Sequence, residues 1–535
     1  MRLFTGLLLA IGLASTARGA TVIVSPIGTD AGTGSLASPL SLPAALAKIA
    51  PGDTILMRDG IYAYAVQITV DSANVGSASK RKCLFAYPNE RPVLDFTSQP
   101  YGKTSAVSNP RGLQIDGNYW HLRNLEVMGS ADNGIYVSGN DNIVESCWIH
   151  RNRDTGLQLG RRSSTIADIE LWPSRNLILN CESWDNYDTA PNGGENADGF
   201  AAKLTTGVGN VFRGCISHHN IDDGWDLFTK LETGVIGAVT IDQCIAHHNG
   251  TLTTGYANPA GDKNGFKLGG TDIANPHYVS RSVAYANGKN GFTWNSNPGV
   301  IQLVNNLAFD NSLSDGNFKF GQSGTLSAGI FYNNVSFWTG GVGYTDKHDG
   351  VTDVDSSNCF WDKSKTPKSR CSRGKLVEAT DFVNDLTKFV DGTLVPRRLA
   401  DSTPDFSVFG LTATSDLLDA GSVPPDSSHP GSTIAYVGKP DLGAWERTSG
   451  AVGIAASPRV SLGFRLDART LAVTLPRPGL LEIEVLDLKG RTVASPGQAW
   501  GSSQVRIGLP PLASGSWLVR GRFNGESFAR TLSIP

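Results

Sequence analysis

The segments SCWIHRN (146–152), NCESWDN (180–186), GCISHHN (214–220) and QCIAHHN (243–249) decide how this chain folds. RSVAYAN (281–287) and NLAFDN (306–311) continue the series. Asparagine recurs at 152, 186, 220, 249, 287 and 311, with gaps of 34, 34, 29, 38 and 24 residues. Each unit holds a short apolar strand, the asparagine, and then a glycine followed by a bulky residue. Short strands separated by Gly and Asn turns, repeated at a variable period, predict a parallel β-helix. Successive coils of such a solenoid stack about 4.8 Å apart, so equivalent residues form columns along its axis. Asparagines in one column satisfy each other's amides and the turn backbone. Cys147, Cys181, Cys215 and Cys244 share another column and read as small buried hydrophobes.

Working outward, the stretch before this series looks like an end plug. Residues 21–30 read as a first strand. Ser41 to Ala50 read as a helix, with Ser41 as its cap, Pro43 in its first turn and Leu42, Leu46 and Ile49 as its apolar stripe. A terminal coil has no neighbour, so a repeat array needs such a cap. Residues 1–20 have a positive start, a short apolar core and small residues after it. That is a secretory signal, too short to span a bilayer. After residue 340 the repeat fades. Residues 340–375 read as a polar loop, 400–436 as an irregular strap and PDLGAWE (440–446) as a closing strand. From about 451 the chain changes to six or seven alternating strands with Gly, Pro or Asn turns, and between 459 and 530 ten Arg/Lys face five Asp/Glu. The expected organisation is a signal peptide (1–20), a catalytic β-helix (21–447), a linker (448–458) and a C-terminal β-sandwich (459–535). The fold class is all-β: a right-handed parallel β-helix with an N-terminal capping helix, then a small C-terminal β-sandwich.

The 535 residues carry a net charge of −3, with no global basic signature for nucleic acid. No later segment reads as a membrane span. The expected product is exported, extracellular or displayed on a surface, and monomeric. Seven cysteines without a CxxC pair give no zinc pattern. Export leaves a Cys359–Cys371 disulfide open.

Chemistry concentrates between 195 and 270, in ENADGF (195–200), IDDGWDLFTK (221–230) and KNGFKLGG (263–270). Phe200, Trp225 and Phe266 fit one repeat position. With those rings in the core, strand alternation turns Asp226 and Lys267 outward on neighbouring coils. Asp198 and Asp223 then stack at the preceding bend, with Asp222 beside them. An isolated Asp-Gly is an ordinary turn signal, but four carboxylates converging in register repel one another unless a cation joins them. Oxygen ligands in flexible geometry suit Ca²⁺, with Glu195 as a further candidate ligand. Magnesium and zinc fit less well, because no octahedral set and no His/Cys pair accompanies the carboxylates. A lysine beside a bound cation has a lowered pKa and serves as a general base. Cation plus lysine suits β-elimination from a uronic acid, which needs no second carboxylate. Lys230, Arg281, Lys289 and Lys319 are candidate partners for a polyanion, and Trp294 a candidate sugar platform. His218, His219, His247 and His248 precede ladder asparagines and read as turn and stacking residues.

ENADGF, IDDGWD and NGFKLGG, in that order, resemble the calcium-site and catalytic segments of polysaccharide lyase family 9, the parallel β-helix pectate lyases. The resemblance spans roughly 21–447, and its specific part is 195–270. It implies that Asp198, Asp222, Asp223 and Asp226 hold calcium, that Lys267 is the base, and that the substrate is pectate, an acidic polysaccharide. LDLKGRTVA, LASGSWLVRG and NGESFARTLSI are similar to C-terminal sorting domains of type IX secretion substrates, which implies a secretion-machinery partner. Two other readings fit the residues. One is a β-helix lyase or hydrolase for another polyuronate. The other is a non-catalytic adhesin that binds calcium and glycan.

Overall fold

The computed structural model describes residues 19–102, 109–188, 193–321, 329–351, 353–366, 368–371, 374–425, 436, 438–447 and, beyond 462, the strands between 463 and 534. The signal read over 1–20 lies outside these residues apart from its last two, and the linker read over 448–458 lies outside them altogether.

Among the described residues, three long sheets of 12, 10 and 12 strands run through the first part of the chain. Each coil contributes one strand to each sheet in turn. A representative coil supplies Asn210–Arg213 to the first sheet, Ile216–His218 to the third and Trp225–Asp226 to the second. Neighbouring coils pair in parallel: Phe212 faces Ile241, Ser217 faces Ala246, and Trp225 faces Phe266. Strands of two to four residues suffice because every bend is fixed locally. At one bend the residue before each ladder asparagine takes a left-handed conformation: Arg151, Asp185, His219, His248, Ala286 and Asp310 have φ between 44° and 56°. For Ala286 this is a strained choice. It is held because it turns the next side chain into the core. There the amides of Asn152, Asn186, Asn220, Asn249, Asn287 and Asn311 donate to one another in series at 2.7–3.0 Å. The ladder also explains the glycine before each aromatic. A Cβ on Gly199 would fall 2.0 Å from Ser217 Oγ and 2.8 Å from Asn220 Nδ2.

The core is built of columns. Phe200, Trp225, Phe266, Phe292 and Phe318 stack with centroids 4.8–5.1 Å apart, all fully buried. Cys147, Cys181, Cys215 and Cys244 are buried free thiols in the same core. The histidines stack on the third sheet: His218 on His247 at 4.9 Å and His219 on His248 at 5.1 Å. At the N-terminal end, the helix Leu42–Lys48 starts at Ser41, whose hydroxyl accepts the Ala44 N–H at 3.2 Å. Its buried side joins Val22 and Val24 in the core.

Two readings of the C-terminal half of the solenoid need correction. Residues 340–375 are not merely a loop: Lys347–His348, Asp353–Val354, Cys359–Trp361 and Ser369–Cys371 extend the three sheets. They are too short to show alternation in the sequence. Cys359 and Cys371 face each other across an antiparallel pair and are disulfide-bonded. PDLGAWE is not a strand. Leu442 and Ala444 are buried there, and Asn305 Nδ2 holds the Asp441 and Gly443 carbonyls at 2.8 and 3.2 Å. The strap supplies Phe406 and Phe409, and the segment before it Phe382 and Phe389, to a second apolar cluster with Tyr285 and Phe309 of the third sheet. Beyond 462, two antiparallel sheets of three and four strands are described.

Candidate active site

Register brings the predicted site together on the outer face of the second sheet. Ala201, Asp226 and Lys267 are consecutive partners, as are Phe200, Trp225 and Phe266 one residue earlier. Leu227 and Leu268 are fully buried, so alternation sends Asp226 and Lys267 the other way. Asp198 lies at the bend before one strand, and Asp222 and Asp223 at the bend before the next. Carboxylate oxygens of Asp198, Asp222 and Asp223 lie within 4.8 Å of one another, all three buried.

Each carboxylate is held by its surroundings. Asp198 Oδ1 accepts the Asp223 N–H at 3.2 Å, and its Oδ2 accepts the Thr155 hydroxyl at 2.9 Å. Asp223 Oδ1 accepts the backbone and side-chain N–H groups of Asn264 at 2.7 and 2.8 Å. Asp226 Oδ1 accepts the Phe228 N–H at 3.0 Å, and Asp222 Oδ1 the Asp262 N–H. Asp223 Oδ2 is different: it is buried, sits 3.1 Å from Lys267 Nζ and accepts no well-directed hydrogen bond. A fixed set of hard oxygen donors with one buried oxygen left over fits a divalent cation.

The electrostatics point the same way. Burial, and then the neighbouring carboxylates, push Asp198 up to about 8 and Asp222 well above the usual range. Asp223 is pushed up to about 6. Lys267 Nζ lies 3.1 Å from Asp223, 3.0 Å from Asp262 and 3.7 Å from Asp226. Burial disfavours its charge, but Asp223, Asp226, Asp222 and Asp262 outweigh burial and hold its pKa well above that of an ordinary lysine. The lowered pKa expected for Lys267 is therefore not a property of the protein groups alone, which retain its proton.

The sequence reading missed two members of this cluster. Lys203, with only 8% of its side chain exposed, pairs with Asp198 Oδ2 at 2.6 Å and Asp226 Oδ2 at 3.2 Å. Asp262 joins Lys267 to Lys289, whose Nζ lies 2.7 Å from its other oxygen. The remaining candidates scatter. Lys319 shares the Lys267 column through Thr293 and lies 3.5 Å from Asp315. Lys230 and Glu195 are exposed. Arg281 is withdrawn as a substrate ligand: it follows the first sheet, where Asp242 takes its guanidinium at 2.6 and 2.9 Å. Trp294 is withdrawn as a sugar platform, because it is buried in the solenoid core. Phe228 is the half-buried aromatic at the site, 5.2 Å from Lys267 Nζ.

Residues 22–334 match the family described as "Pel9A-like, right handed beta helix region". Over 383 residues the chain is 46% identical to pectate lyase L of Paenibacillus polymyxa (strain SC2), covering 71% of this chain and 79% of that one. It is 31% identical over 440 residues to pectate lyase L of Dickeya chrysanthemi, covering 79% and 90%. The crystal structure of pectate lyase Pel9A superposes with a TM-score of 0.64 at 31% identity, over 81% of this chain and 97% of that one.

Proposed function

The chain belongs to the Pel9A-like right-handed β-helix family and is a polysaccharide lyase, and from that premise we propose a calcium-dependent pectate lyase in which Lys267 is the base. A lyase sets aside the hydrolase and adhesin readings. One observation carries the finer assignment: a buried three-carboxylate cluster adjoins the amines of Lys203 and Lys267, and of the two Lys267 stands in the strand column, paired in register with Asp226.

Asp198, Asp222, Asp223 and Asp226 would hold the cation. Bound there, Ca²⁺ supplies positive charge that draws in a uronate carboxylate and acidifies the C5 proton beside it. The protein's own groups do the rest. Asn264, Thr155 and the Phe228 N–H fix the carboxylates before substrate arrives. Asp223 and Asp226 hold the Lys267 amine at the site. As a free amine it takes the C5 proton, the C–H electrons form the C4–C5 double bond, and the C4–O bond breaks with the glycosidic oxygen protonated from solvent. The carboxylates that now hold the proton on Lys267 are those the cation would neutralise, so base and cation are coupled. Lys289 and Lys319 lie along the same face as candidate partners for further uronates. Lys230, exposed on the loop after Asp226, is a weaker one.

We read residues 21–447 as the catalytic unit, with the helix Leu42–Lys48 plugging its N-terminal end. We read 459–535 as a separate β-sandwich serving sorting or anchoring of a secreted protein. No helix among the described residues is long and apolar enough to cross a membrane. The deciding assay incubates the protein with polygalacturonate, with calcium or with a chelator, and follows ultraviolet absorbance of the unsaturated product. Absorbance that rises only with calcium supports the assignment. No rise with calcium present refutes it for this substrate.

A further inference from the structure

Asp262 belongs to the loop between the ladder residue Asn249 and the strand Phe266–Lys267. That loop is pinned to the solenoid by Thr253, whose N–H and hydroxyl donate to the Asp185 carboxylate at 2.8 and 2.6 Å. At its far end the Asp262 N–H donates to Asp222. The backbone thus delivers one extra carboxylate to the edge of the acidic site. It does not join that cluster but faces the lysines, with Oδ2 3.0 Å from Lys267 and Oδ1 2.7 Å from Lys289. Lys267 is almost hidden, at 8% side-chain exposure, whereas Asp262 and Lys289 are open to solvent at 38% and 37%. One carboxylate therefore spans a buried and an exposed amine, at the margin from which a polymer must approach.

We propose that Asp262 is an internal placeholder for a substrate carboxylate. In the free protein it occupies the two lysines; a uronate carboxylate takes its place on Lys289, and Asp262 turns to water. The proposal rests on the pectate-lyase reading of the site. The exchange swaps one anion for another, so no amine is left without a counter-charge at any stage. It also selects. A methyl-esterified sugar carries no charge to exchange, so it leaves Asp262 seated and gains nothing from Lys289. Asp262 and Lys289 would then discriminate free acid from ester at this position, by competition rather than by shape.

The test is binding of trigalacturonate by calorimetry with chelator present, so that no turnover occurs. Asp262→Asn keeps the backbone N–H to Asp222 and removes the competing charge. It should bind trigalacturonate about three- to fivefold more tightly than the wild type, the scale of a partly exposed ion pair. Adding Lys289→Met should cancel that gain, because the freed amine is its source. A gain that survives in the double variant overturns the proposal, since it would reflect general repulsion. So would no gain at all. The wild type offers an independent check that needs no variant: its affinity for trigalacturonate should exceed that for the trimethyl ester, and equal affinities overturn the proposal. Failure of the pectate-lyase reading looks different, because the wild type with calcium would then yield no unsaturated product from polygalacturonate.

Discussion

Replacing Lys203 by methionine tests the electrostatics of the site without touching the proposed base. The side chain is nearly buried, and its amine bridges Asp198 on one coil to Asp226 on the next, at 2.6 and 3.2 Å. Methionine keeps most of the apolar stem, so the loss is mainly of charge. Removing one partner of a buried pair costs about 3–5 kcal/mol when the other must stay charged. Here the other has an escape. Burial, reinforced by Asp226 and Asp223, already pushes Asp198 up to about 8 against the pull of Lys203. Without Lys203 the orphaned carboxylate takes a proton instead. A carboxyl raised on folding binds more protons in the native than in the unfolded state. Stability therefore falls as pH climbs from the unfolded value toward the folded one. The cost therefore grows as pH climbs past about 8, where wild-type Asp198 gives up its proton, so it should be larger at about pH 9.5 than near pH 6, where the proton fills the gap and we expect roughly 1–2 kcal/mol. The assay is guanidinium denaturation followed by circular dichroism, with chelator, at both pH values. Added calcium should recover most of the loss at the higher pH. An equal loss at both pH values would refute the reasoning and assign the effect to packing. No loss at either would show that Lys203 is not the counter-ion of the cluster.

Lys267→Met should lower turnover on polygalacturonate by about 10²–10⁴-fold, the range for a general base, with calcium affinity retained. A loss under tenfold in the absorbance assay would move the base elsewhere. Asn220→Leu removes the amide that donates to Asn249 and the oxygen that accepts from Asn186, at 3.0 and 2.7 Å. The orphaned ladder groups should cost about 2–4 kcal/mol in a denaturation experiment, and a cost under ~1 kcal/mol would mean the ladder is dispensable. Calcium must displace protons from carboxylates raised to about 8 at Asp198 and about 6 at Asp223. Titration calorimetry should show affinity weakening on the order of tenfold from about pH 8.5 to about pH 6.5, with proton release that a pH-independent affinity would exclude. Magnesium at equal concentration should restore little of the activity that calcium restores, and full restoration would mean that the spacing of the coils does not select the ion.

The site was legible where the backbone repeat determines it. Phe200, Trp225 and Phe266 pair as the glycine–aromatic alignment requires, and that register alone turned Asp226 and Lys267 outward together. Trp294 was misread against the same rule. The two residues before it, Phe292 and Thr293, pair with the inward Phe266 and the outward Lys267, so the next residue points in, as its burial shows. Arg281 failed for a related reason: the segment RSVAYAN aligns it with Gln243 at a bend of the first sheet, far in register from the acidic strands. Lys203 left a fainter signal. Alternation puts it outward two residues after Ala201, and so small a neighbour leaves an amine room to reach back to Asp198. Asp262 left none. It sits on a long loop whose path is set by Thr253 and Asp185, and no periodicity in the sequence records that contact.

The architecture explains why calcium is the cation to expect. Residues in one column of a parallel β-helix present their side chains one strand spacing apart, about 4.7–4.9 Å. Two calcium–oxygen distances of about 2.3–2.6 Å cover that span, so carboxylates on successive coils can share an ion without distorting either coil. Two magnesium–oxygen distances of about 2.0–2.1 Å fall short of it by more than half an ångström, and magnesium also resists losing its water and irregular geometry. The oxygens of Asp198, Asp222 and Asp223 lie within 4.8 Å of one another, and they come from two adjacent coils. Their backbone is not free to contract, because Phe200 and Trp225 stack at 5.0 Å beneath them and Asn186 bonds Asn220 at the bend. We therefore expect the stacking period of the solenoid to favour calcium over magnesium, because the aromatic column and asparagine ladder that build the fold also fix the spacing of the coils that carry the carboxylates.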